Sequence, residues 1–390
     1  MLVVDLSRLL PGPLTAKLLA DLGARVVKVE EPRMGDPLRM APPLVRGRSA
    51  LAALLLAGVE SVALDLGNPG ARDVLEDLLA RADVLLESFR PGTLARLGFP
   101  PRELARRFPR LVVCSLSGYG QEGPQAPRAG HDLTYQALAG TLAPTARMPA
   151  VPVADVAGAW SAALAVVAAL YRRGATGRGA RVDASLYDAA LHANVAAWAE
   201  EGAGEREVGR ALPLTGSLPC YNLYLTADRR YVALACLEPR FWKRFCAVVG
   251  RADLEKRHLD ARLEARQRVQ EVIGGRTRDA WEALAREHDL PLEPVLSAAE
   301  ARRHPQARER RVVSTGPDGL LRLAYPALLD GERPEAAERL PRLGDDTPAV
   351  LAELGRAMRP AEQRAAGVGR RLGVKRVLAR IGLRWKGRRG

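Results

Sequence analysis

The sequence has few of the features that mark secreted, metal-binding or membrane-spanning proteins. Its 390 residues include only four cysteines, at positions 114, 220, 236 and 246, with no metal-ligand spacing. A chain of this length does not depend on disulfides, so we expect reduced thiols, a cytoplasmic location and no metal site. The longest uncharged apolar run, 156–170, is 15 residues, fewer than the roughly 18 that indicate a membrane span. The segment MLVVDLSR has an acid at its fifth residue, and no signal peptide is expected.

The charge is unevenly distributed. The formal net charge is +14, and nine basic residues without an acid lie in the tail, 369–390. The remaining +5 is spread over the rest of the chain, so a nucleic-acid partner is not expected from charge alone. Apolar positions in the tail follow helical spacing, which favours contact with an anionic membrane, whereas its glycines at 369, 373, 382 and 387 favour a solvated terminus. Both interpretations of the tail stay open.

Strand and helix patterns alternate through the first third of the chain. The predicted strands are 2–6, 25–30, 61–66, 84–87 and 111–115, with helices between them at 14–22, 69–80 and 93–97. Such alternation predicts an α/β fold with a doubly wound parallel sheet. The glycines after the first strand do not form the GxGxxG pattern, so a dinucleotide-binding site is not supported.

The pattern changes after the glycine- and proline-rich loop at 118–124. Strands at 221–226 and 231–235 flank a short turn at 227–229 and predict a hairpin. We therefore expect a large α/β domain over 1–211 that resumes at 326–368, a smaller α+β domain over 212–325 and the basic tail at 369–390.

Nine segments together carry a family resemblance. They are VDLSRLLPGP at 4–13, LADLGARVVKVE at 19–30, GDPLR at 35–39, ADVLLESFRPG at 82–92, SGYGQEGP at 117–124, GHD at 130–132, GATGRG at 174–179, LEPRF at 237–241 and LGDDT at 343–347. Their content and order resemble the class III CoA-transferase family, also called CaiB/BaiF, which includes CoA-transferases and α-methylacyl-CoA racemases. The resemblance implies an acyl-CoA enzyme, no cofactor beyond the coenzyme A of its substrate, and an interlocked homodimer.

Asp155 is the first candidate for chemistry. It precedes the apolar run, where a carboxylate commonly caps the free N–H groups of a helix. The family resemblance instead implies the essential aspartate, since relatives carry it at this point of the chain. A carboxylate so placed can act as a nucleophile or as a base.

His131 and Glu238 are the other two catalytic candidates. A histidine beside Asp132 is often only a structural hydrogen-bonding group, and Glu238 by itself is typical of a solvated loop acid. The phrase GHDLTY at 130–135 is similar to the racemase form of the family, which implies that His131 exchanges a proton with substrate. In racemase relatives, a glutamate in a phrase like that of Glu238 supports the catalytic aspartate, as one of two coupled acids.

Two mechanisms follow from the resemblance. In a racemase, His131 on one face and Asp155 with Glu238 on the other would move the α-proton of a 2-methylacyl-CoA through an enolate. In a transferase, Asp155 would attack the donor thioester and later carry CoA as an aspartyl-CoA thioester. We favour the racemase. A third hypothesis, a CoA-thioester-binding or membrane-tethered protein without catalysis, would hold if Asp155 were dispensable.

The coenzyme A contacts are also implied by the resemblance. Arginine suits anionic phosphates, and Arg39 and Arg96 match the family's positions for this contact. The segment that passes the adenine is matched by 87–91, which includes Glu87, Ser88, Phe89 and Arg90. One departure stands out: the family usually carries a basic phrase similar to NRGKRS, where this chain has LAGVES at 56–61. Coenzyme A affinity, or the way its phosphates are bound, is therefore expected to differ.

Overall fold

The computed structural model describes residues 1–143, 147–204 and 216–356, which divide into two compact units. The first unit comprises Met1–Ala139, Pro149–Ala193 and the described chain from Arg308, and the second comprises the described residues within Gly140–Met148 and Asn194–Ala307. The basic tail at 369–390 and the predicted boundary at 212 lie outside the described residues.

Six strands form one parallel sheet in the first unit. They are β1 (Leu2–Asp5), β2 (Arg25–Glu30), β5 (Glu60–Ala63), β6 (Val84–Glu87), β7 (Val112–Ser117) and β8 (Arg181–Ser185). A short hairpin of β3 (Leu44–Val45) and β4 (Arg48–Ser49) lies between β2 and β5 in the chain. The order β5-β2-β1-β6-β7-β8, with every neighbouring pair parallel, confirms the predicted α/β sheet.

Helices cover both faces of this sheet. They are α1 (Pro11–Asp21), α2 (Ala50–Leu55), α3 (Pro69–Arg81), α4 (Thr93–Arg96), α5 (Pro101–Arg107), α6 (Asp132–Leu138), α7 (Val153–Thr176), α8 (Leu186–Ala193) and, near the end of the described chain, α15 (Thr347–Glu353). Successive strand residues point to opposite faces, so Val3 packs in one apolar core with α1 and α7, while Val4 packs in the other with α3 and α15. The sheet is thereby buried between two cores.

The carboxyl ends of β1 and β6 mark a change of direction in the sheet. From β1 the chain builds outward to β2 and β5, and it then returns to place β6 on the other side of β1. In open α/β sheets, ligands bind in the crevice at such a switch point. The loops that follow β1 and β6 are therefore where a binding site is expected.

Helix α7 is long and apolar enough to cross a membrane by length and composition. In this structure its small residues, among them Ala154, Gly158 and Ala162, pack in the core of the first unit against α1, α8 and the sheet. A core helix of a globular protein has the same composition. The opposite side exposes Trp160, Leu164, Val167 and Tyr171.

The second unit contains an antiparallel sheet of β9 (Tyr221–Leu225), β10 (Tyr231–Ala235) and β11 (Leu292–Pro294), in the order β11-β10-β9. The predicted hairpin is confirmed, and it turns at Arg229 with a positive φ of 58°. Its helices are α9 (Val195–Gly202), α10 (Pro239–Val248), α11 (Leu263–Ile273), α12 (Arg278–Glu287) and α13 (Ala298–Arg303). Trp242 and Trp281 fill the core, and both indole N–H groups donate to backbone carbonyls.

The chain returns to the first unit through α14 (Pro305–Arg310) and the antiparallel pair of β12 (Val313–Thr315) and β13 (Leu321–Leu323). The loop at 339–347 then passes β5, where the Ser61 and Ala63 N–H groups donate to the side chains of Asp346 and Thr347. These bonds fix the returning chain beside the outer strand of the sheet.

Candidate active site

A cavity of about 500 Å³ lies at the carboxyl ends of β1, β6 and β7 in the first unit. It is called the main cavity below, and the residues that define it include Arg8, the segment 88–91, Arg128, His131, Tyr135 and Asp155. The loops after β1 and β6 and the first turns of α6 and α7 therefore meet at one place. His131 and Asp155, 24 positions apart in sequence, line the same cavity.

Asp155 is the third residue of α7. The helix begins at Val153 with Pro152 in the N-cap position, so the N-cap interpretation of Asp155 is wrong. Proline suits the start of a helix, because a backbone N–H at that place would have no partner within the helix. The free N–H of Asp155 instead donates to Oδ1 of Asp132 at 3.1 Å. No hydrogen bond to the Asp155 carboxylate is found in the described part of the chain.

The environment of Asp155 changes its acidity. Burial and then the nearby charge of Asp132 raise the pKa of the Asp155 carboxyl from 3.8 to about 7. Desolvation disfavours the charged form of an acid, and a like charge does the same. The Asp155 carboxyl therefore takes up and releases a proton near neutral pH, as acid–base catalysis requires.

The first turn of α6 is held by local hydrogen bonds. Thr134 Oγ1 accepts a bond from the His131 N–H at 3.0 Å and donates to the His131 carbonyl at 2.8 Å. Gln136 Nε2 donates to Oδ2 of Asp132 at 2.6 Å. The backbone of His131 and the carboxylate of Asp132 are thus positioned, while the His131 ring remains exposed toward the main cavity.

Tyr135 is packed against glycines. A Cβ atom added to Gly118 would lie 2.4 Å from the Tyr135 hydroxyl, and one added to Gly130 would lie 2.4 Å from its ring. Both glycines therefore leave room for a buried tyrosine in the wall of the main cavity. Burial and the charge of Asp155 raise the pKa of Tyr135 to about 12, so its hydroxyl stays protonated at neutral pH and can donate a hydrogen bond.

The segment 87–91, which is predicted to lie beside coenzyme A, is located largely at the main cavity. Ser88, Phe89 and Arg90 line it, and Ser88 Oγ accepts the Arg8 N–H at 2.9 Å. Glu87 is buried behind them, where its carboxylate accepts the Phe89 N–H at 2.7 Å. Burial raises the pKa of this carboxyl. Glu87 therefore shapes the loop after β6 from within the protein.

The two predicted phosphate-binding arginines are placed elsewhere. Arg39 forms an ion pair with Glu30 at 2.6 Å and donates to the Pro341 carbonyl at 2.8 Å, away from the main cavity. Arg96 is exposed on α4, where it donates to Thr93 at 2.7 Å. Neither lines the main cavity, and their contact with coenzyme A stays a prediction.

Glu238 belongs to the second unit. It is the N-cap residue of α10, its side chain is exposed, and its carbonyl accepts the N–H groups of Phe241 and Trp242. Its predicted role beside Asp155 stays a prediction.

A buried ion cluster supports the loop after β1. Lys28 lies 3.1 Å from carboxylate oxygens of both Asp5 and Asp36, and all three side chains are fully buried. Lys28 also donates to the Ser7 carbonyl at 2.7 Å, and Asp36 Oδ1 accepts the Leu9 N–H at 3.1 Å. The cluster thus fixes the backbone from which Arg8 and Leu9 enter the main cavity.

Sequence reasoning missed Arg8 and Arg128, which line the main cavity. Arg8 could have been found, because it follows the first strand closely and ligands gather at the carboxyl ends of parallel strands. Arg128 carries no comparable signal, since its loop has no regular spacing. Among the described residues, no group of three or more His, Cys, Asp or Glu side chains is arranged to hold a metal ion.

The geometry agrees with comparisons to known proteins. The sequence model of CoA-transferase family III matches residues 1–347, and this chain belongs to that family. It is 33% identical to the human α-methylacyl-CoA racemase over 90% of this chain and 92% of that protein. It is 30% identical to the acetyl-CoA:oxalate CoA-transferase of Acetobacter aceti, over 90% of this chain and 94% of that protein. The crystal structure of a CaiB/BaiF family protein from Brucella suis superimposes with a TM-score of 0.79 at 27% identity, covering 91% and 98% of the two chains.

The predicted family and enzyme class are therefore confirmed. The relatives include both a racemase and CoA-transferases, so membership alone does not choose between the two reactions.

Proposed function

We propose that this enzyme epimerises 2-methylacyl-CoA thioesters by moving the proton on the α-carbon. The observation that carries the proposal is the sharing of one cavity by His131 and Asp155, together with an Asp155 pKa of about 7. A thioester acidifies its α-carbon only modestly, so the reaction needs a base on one face and an acid on the other. A carboxyl with this pKa can act as an acid or as a base, and a neutral imidazole has one donor and one acceptor nitrogen.

The proton balance is simple in this arrangement. With one enantiomer, neutral His131 takes the α-proton and protonated Asp155 returns a proton to the opposite face of the enolate. With the other enantiomer, ionised Asp155 takes the proton and the His131 imidazolium supplies one. After each turnover, one side chain has gained a proton and the other has lost one. Proton exchange with solvent restores the starting protonation states. No electrons are transferred and no other reactant is needed.

CoA transfer is the second candidate. It is supported by the similarity to the acetyl-CoA:oxalate CoA-transferase and by an Asp155 carboxylate that accepts no hydrogen bond in the described structure. In that reaction the carboxylate attacks the thioester, which requires its ionised form. A pKa of about 7 keeps about half of the Asp155 side chains protonated at neutral pH. The raised pKa therefore favours proton transfer over nucleophilic attack.

The discriminating experiment uses 2-methylacyl-CoA in deuterated water. We expect deuterium at the α-carbon with wild-type protein and loss of epimerisation with His131→Ala. His192→Ala is the matched control, since His192 lies on α8 and does not line the main cavity. Transfer of CoA to an added carboxylate without deuterium uptake, and with an acyl group on Asp155 trapped by hydroxylamine, would instead assign the protein to the transferases.

We also propose a homodimer, with a second copy covering the exposed side of α7. Trp160, Leu164, Val167 and Tyr171 recur at intervals of three and four, so they form one apolar stripe, and Tyr171 is 88% exposed. Large exposed apolar stripes on soluble proteins commonly mark interfaces. Light scattering should give twice the monomer mass for wild type and a monomer or aggregate for Leu164→Glu. A monomeric wild type would overturn the proposal.

A further inference from the structure

A cavity of about 470 Å³ in the first unit is lined by arginines. It is called the arginine cavity below, and its arginines are Arg33, Arg39, Arg46, Arg48 and Arg342. No acid is among its described lining residues, and it shares none of them with the main cavity. The arginine cavity therefore favours a negatively charged occupant.

Three of these arginines are already neutralised by acids outside the lining. Their ion pairs are Arg33–Glu31 at 2.8 Å, Arg39–Glu30 at 2.6 Å and Arg48–Asp318 at 3.1 Å.

The other two arginines, Arg46 and Arg342, are exposed and form no ion pair or side-chain hydrogen bond within the described chain. A guanidinium group is charged at every pH of interest, and its planar fork matches the oxygens of a phosphate group. Two unneutralised guanidinium groups in one cavity thus suit a phosphate dianion.

The backbone that carries these two arginines is held in place. Arg46 lies in the two-residue loop of the β3–β4 hairpin. The segment before Arg342 is fixed because Arg39 and Arg48 donate to the carbonyls of Pro341 and Leu340, at 2.8 and 3.0 Å. The paired arginines therefore position the unpaired ones before a ligand arrives, which reduces the entropy lost on binding.

The rest of the lining is largely apolar and includes Met34, Met40, Leu44, Leu340 and Leu343. Methionine side chains adapt to ligands of different shape. Inorganic phosphate would leave this lining uncovered, whereas a phosphate ester with an apolar group would cover it. A concave cavity of this volume suits a small molecule rather than a membrane surface.

The arginine cavity and the main cavity are lined by neighbouring residues of one segment. Within and after the short 3-10 helix Pro37–Met40, Leu38 and Ala41 line the main cavity, whereas Arg39 and Met40 line the arginine cavity. Helix α2 also contributes to both. A ligand that orders this common wall lowers the entropy cost of binding a second ligand on its other side.

We infer that the arginine cavity is a regulatory site for a small phosphate monoester with an apolar group, and that its ligand strengthens thioester binding in the main cavity. The second clause rests on the proposed function.

Calorimetry with hexyl phosphate and with inorganic phosphate tests the site. Wild type should bind hexyl phosphate more tightly than inorganic phosphate. Arg46→Asn and Arg342→Gln should each weaken hexyl phosphate binding by about tenfold. Asparagine suits the left-handed φ of 50° at position 46, so Arg46→Asn keeps the hairpin.

Arg229→Asn is the matched control. It makes the same change at a φ of 58°, in a hairpin of the second unit and outside the arginine cavity. Hexyl phosphate affinity should not change in this variant.

Kinetics test the coupling between the two cavities. Saturating hexyl phosphate should lower KM for deuterium exchange of 2-methylacyl-CoA by about fivefold in wild type. At the same concentration, the effect should be much smaller in Arg46→Asn.

The outcomes separate this inference from the proposed function. The site is overturned if hexyl phosphate does not bind, binds no better than inorganic phosphate, binds Arg46→Asn and Arg342→Gln as tightly as wild type, or is displaced by coenzyme A. An unchanged KM would overturn the regulatory role and leave the proposed function standing. If the thioester does not exchange at all, the proposed function fails. Calorimetric affinity for coenzyme A with and without hexyl phosphate then decides the coupling, since equal values would overturn it.

Discussion

The backbone N–H of Asp155 donates a hydrogen bond to the carboxylate of Asp132 at 3.1 Å. The same contact that anchors the start of α7 brings a negative charge close to the Asp155 carboxyl, and that charge adds to burial in raising its pKa to about 7. Asp132 therefore both anchors the backbone of Asp155 and adds to the effect of burial on its pKa. This coupling is the basis of the first prediction.

Asp132→Asn should lower the pKa of Asp155 while keeping it above 3.8. The substitution removes the like charge, but burial, the larger cause, remains. For the enantiomer whose α-proton the ionised Asp155 takes, the acidic limb of the pH profile of kcat/KM should move to lower pH. An unchanged limb would show that Asp132 does not tune Asp155 or that Asp155 does not control the profile.

Asp155→Asn should stabilise the protein more at pH 8 than at pH 5. The folded-state pKa is raised, so between about pH 4 and 7 the folded state binds more protons than the unfolded state. The free energy of unfolding contributed by this carboxyl therefore falls as pH rises through that window. We expect a gain of about 1–2 kcal/mol at pH 8 after solvent screening.

Thermal melts at the two pH values measure that gain, with the exposed Asp289→Asn as the control. Equal changes for Asp155→Asn at pH 5 and pH 8 would contradict the raised pKa.

Lys28→Met should destabilise the protein by about 3 kcal/mol at pH 7, because it leaves Asp5 and Asp36 buried without their cation. Part of the loss should be recovered at pH 5, because burial raises the pKa of the Asp5 carboxyl and favours its protonation. Urea unfolding at both pH values tests this. Arg106→Gln, in an exposed pair on α5, should change little, and a Lys28→Met value equal to it would refute the account.

Gly118→Ala should reduce activity by displacing Tyr135, since the new Cβ would lie 2.4 Å from the tyrosine hydroxyl. Gly174→Ala is the matched control, because nothing lies within 4 Å of its added Cβ. Comparing kcat/KM and melting temperature of the two variants separates a local effect on the cavity from a general one. Full activity of Gly118→Ala would show that the Tyr135 position is not needed.

Much of the sheet could be predicted from local pattern. The strand at 84–87 was predicted at its observed bounds, and the helix at 69–80 ends one residue later in the structure. Buried parallel strands are recognised in a sequence as uninterrupted apolar runs. The helices between them are recognised by a proline at the start or a glycine at the end. The predicted start of α7 was late because the apolar run begins at Val156, after a first turn that contains Asp155.

Charge pairing could not be predicted in the same way. The ion pair of Arg39 with the buried Glu30 at the end of β2 was not predicted, and contact of Arg39 with phosphate stays a prediction. Burial of an acid depends on the fold around it, which no spacing in the sequence reveals. The main cavity likewise joins His131 and Asp155 through tertiary packing, so only the resemblance suggested that they act together.

The most direct test follows deuterium exchange of each enantiomer of 2-methylacyl-CoA separately, in His131→Ala and Asp155→Asn. If the two side chains serve opposite faces of the α-carbon, both variants lose epimerisation. Each variant should still exchange the α-proton of the enantiomer that presents this proton to the remaining base. Complementary retention is the result we predict. Loss of exchange for the same enantiomer in both variants, or unchanged epimerisation in either, would contradict a two-base reaction.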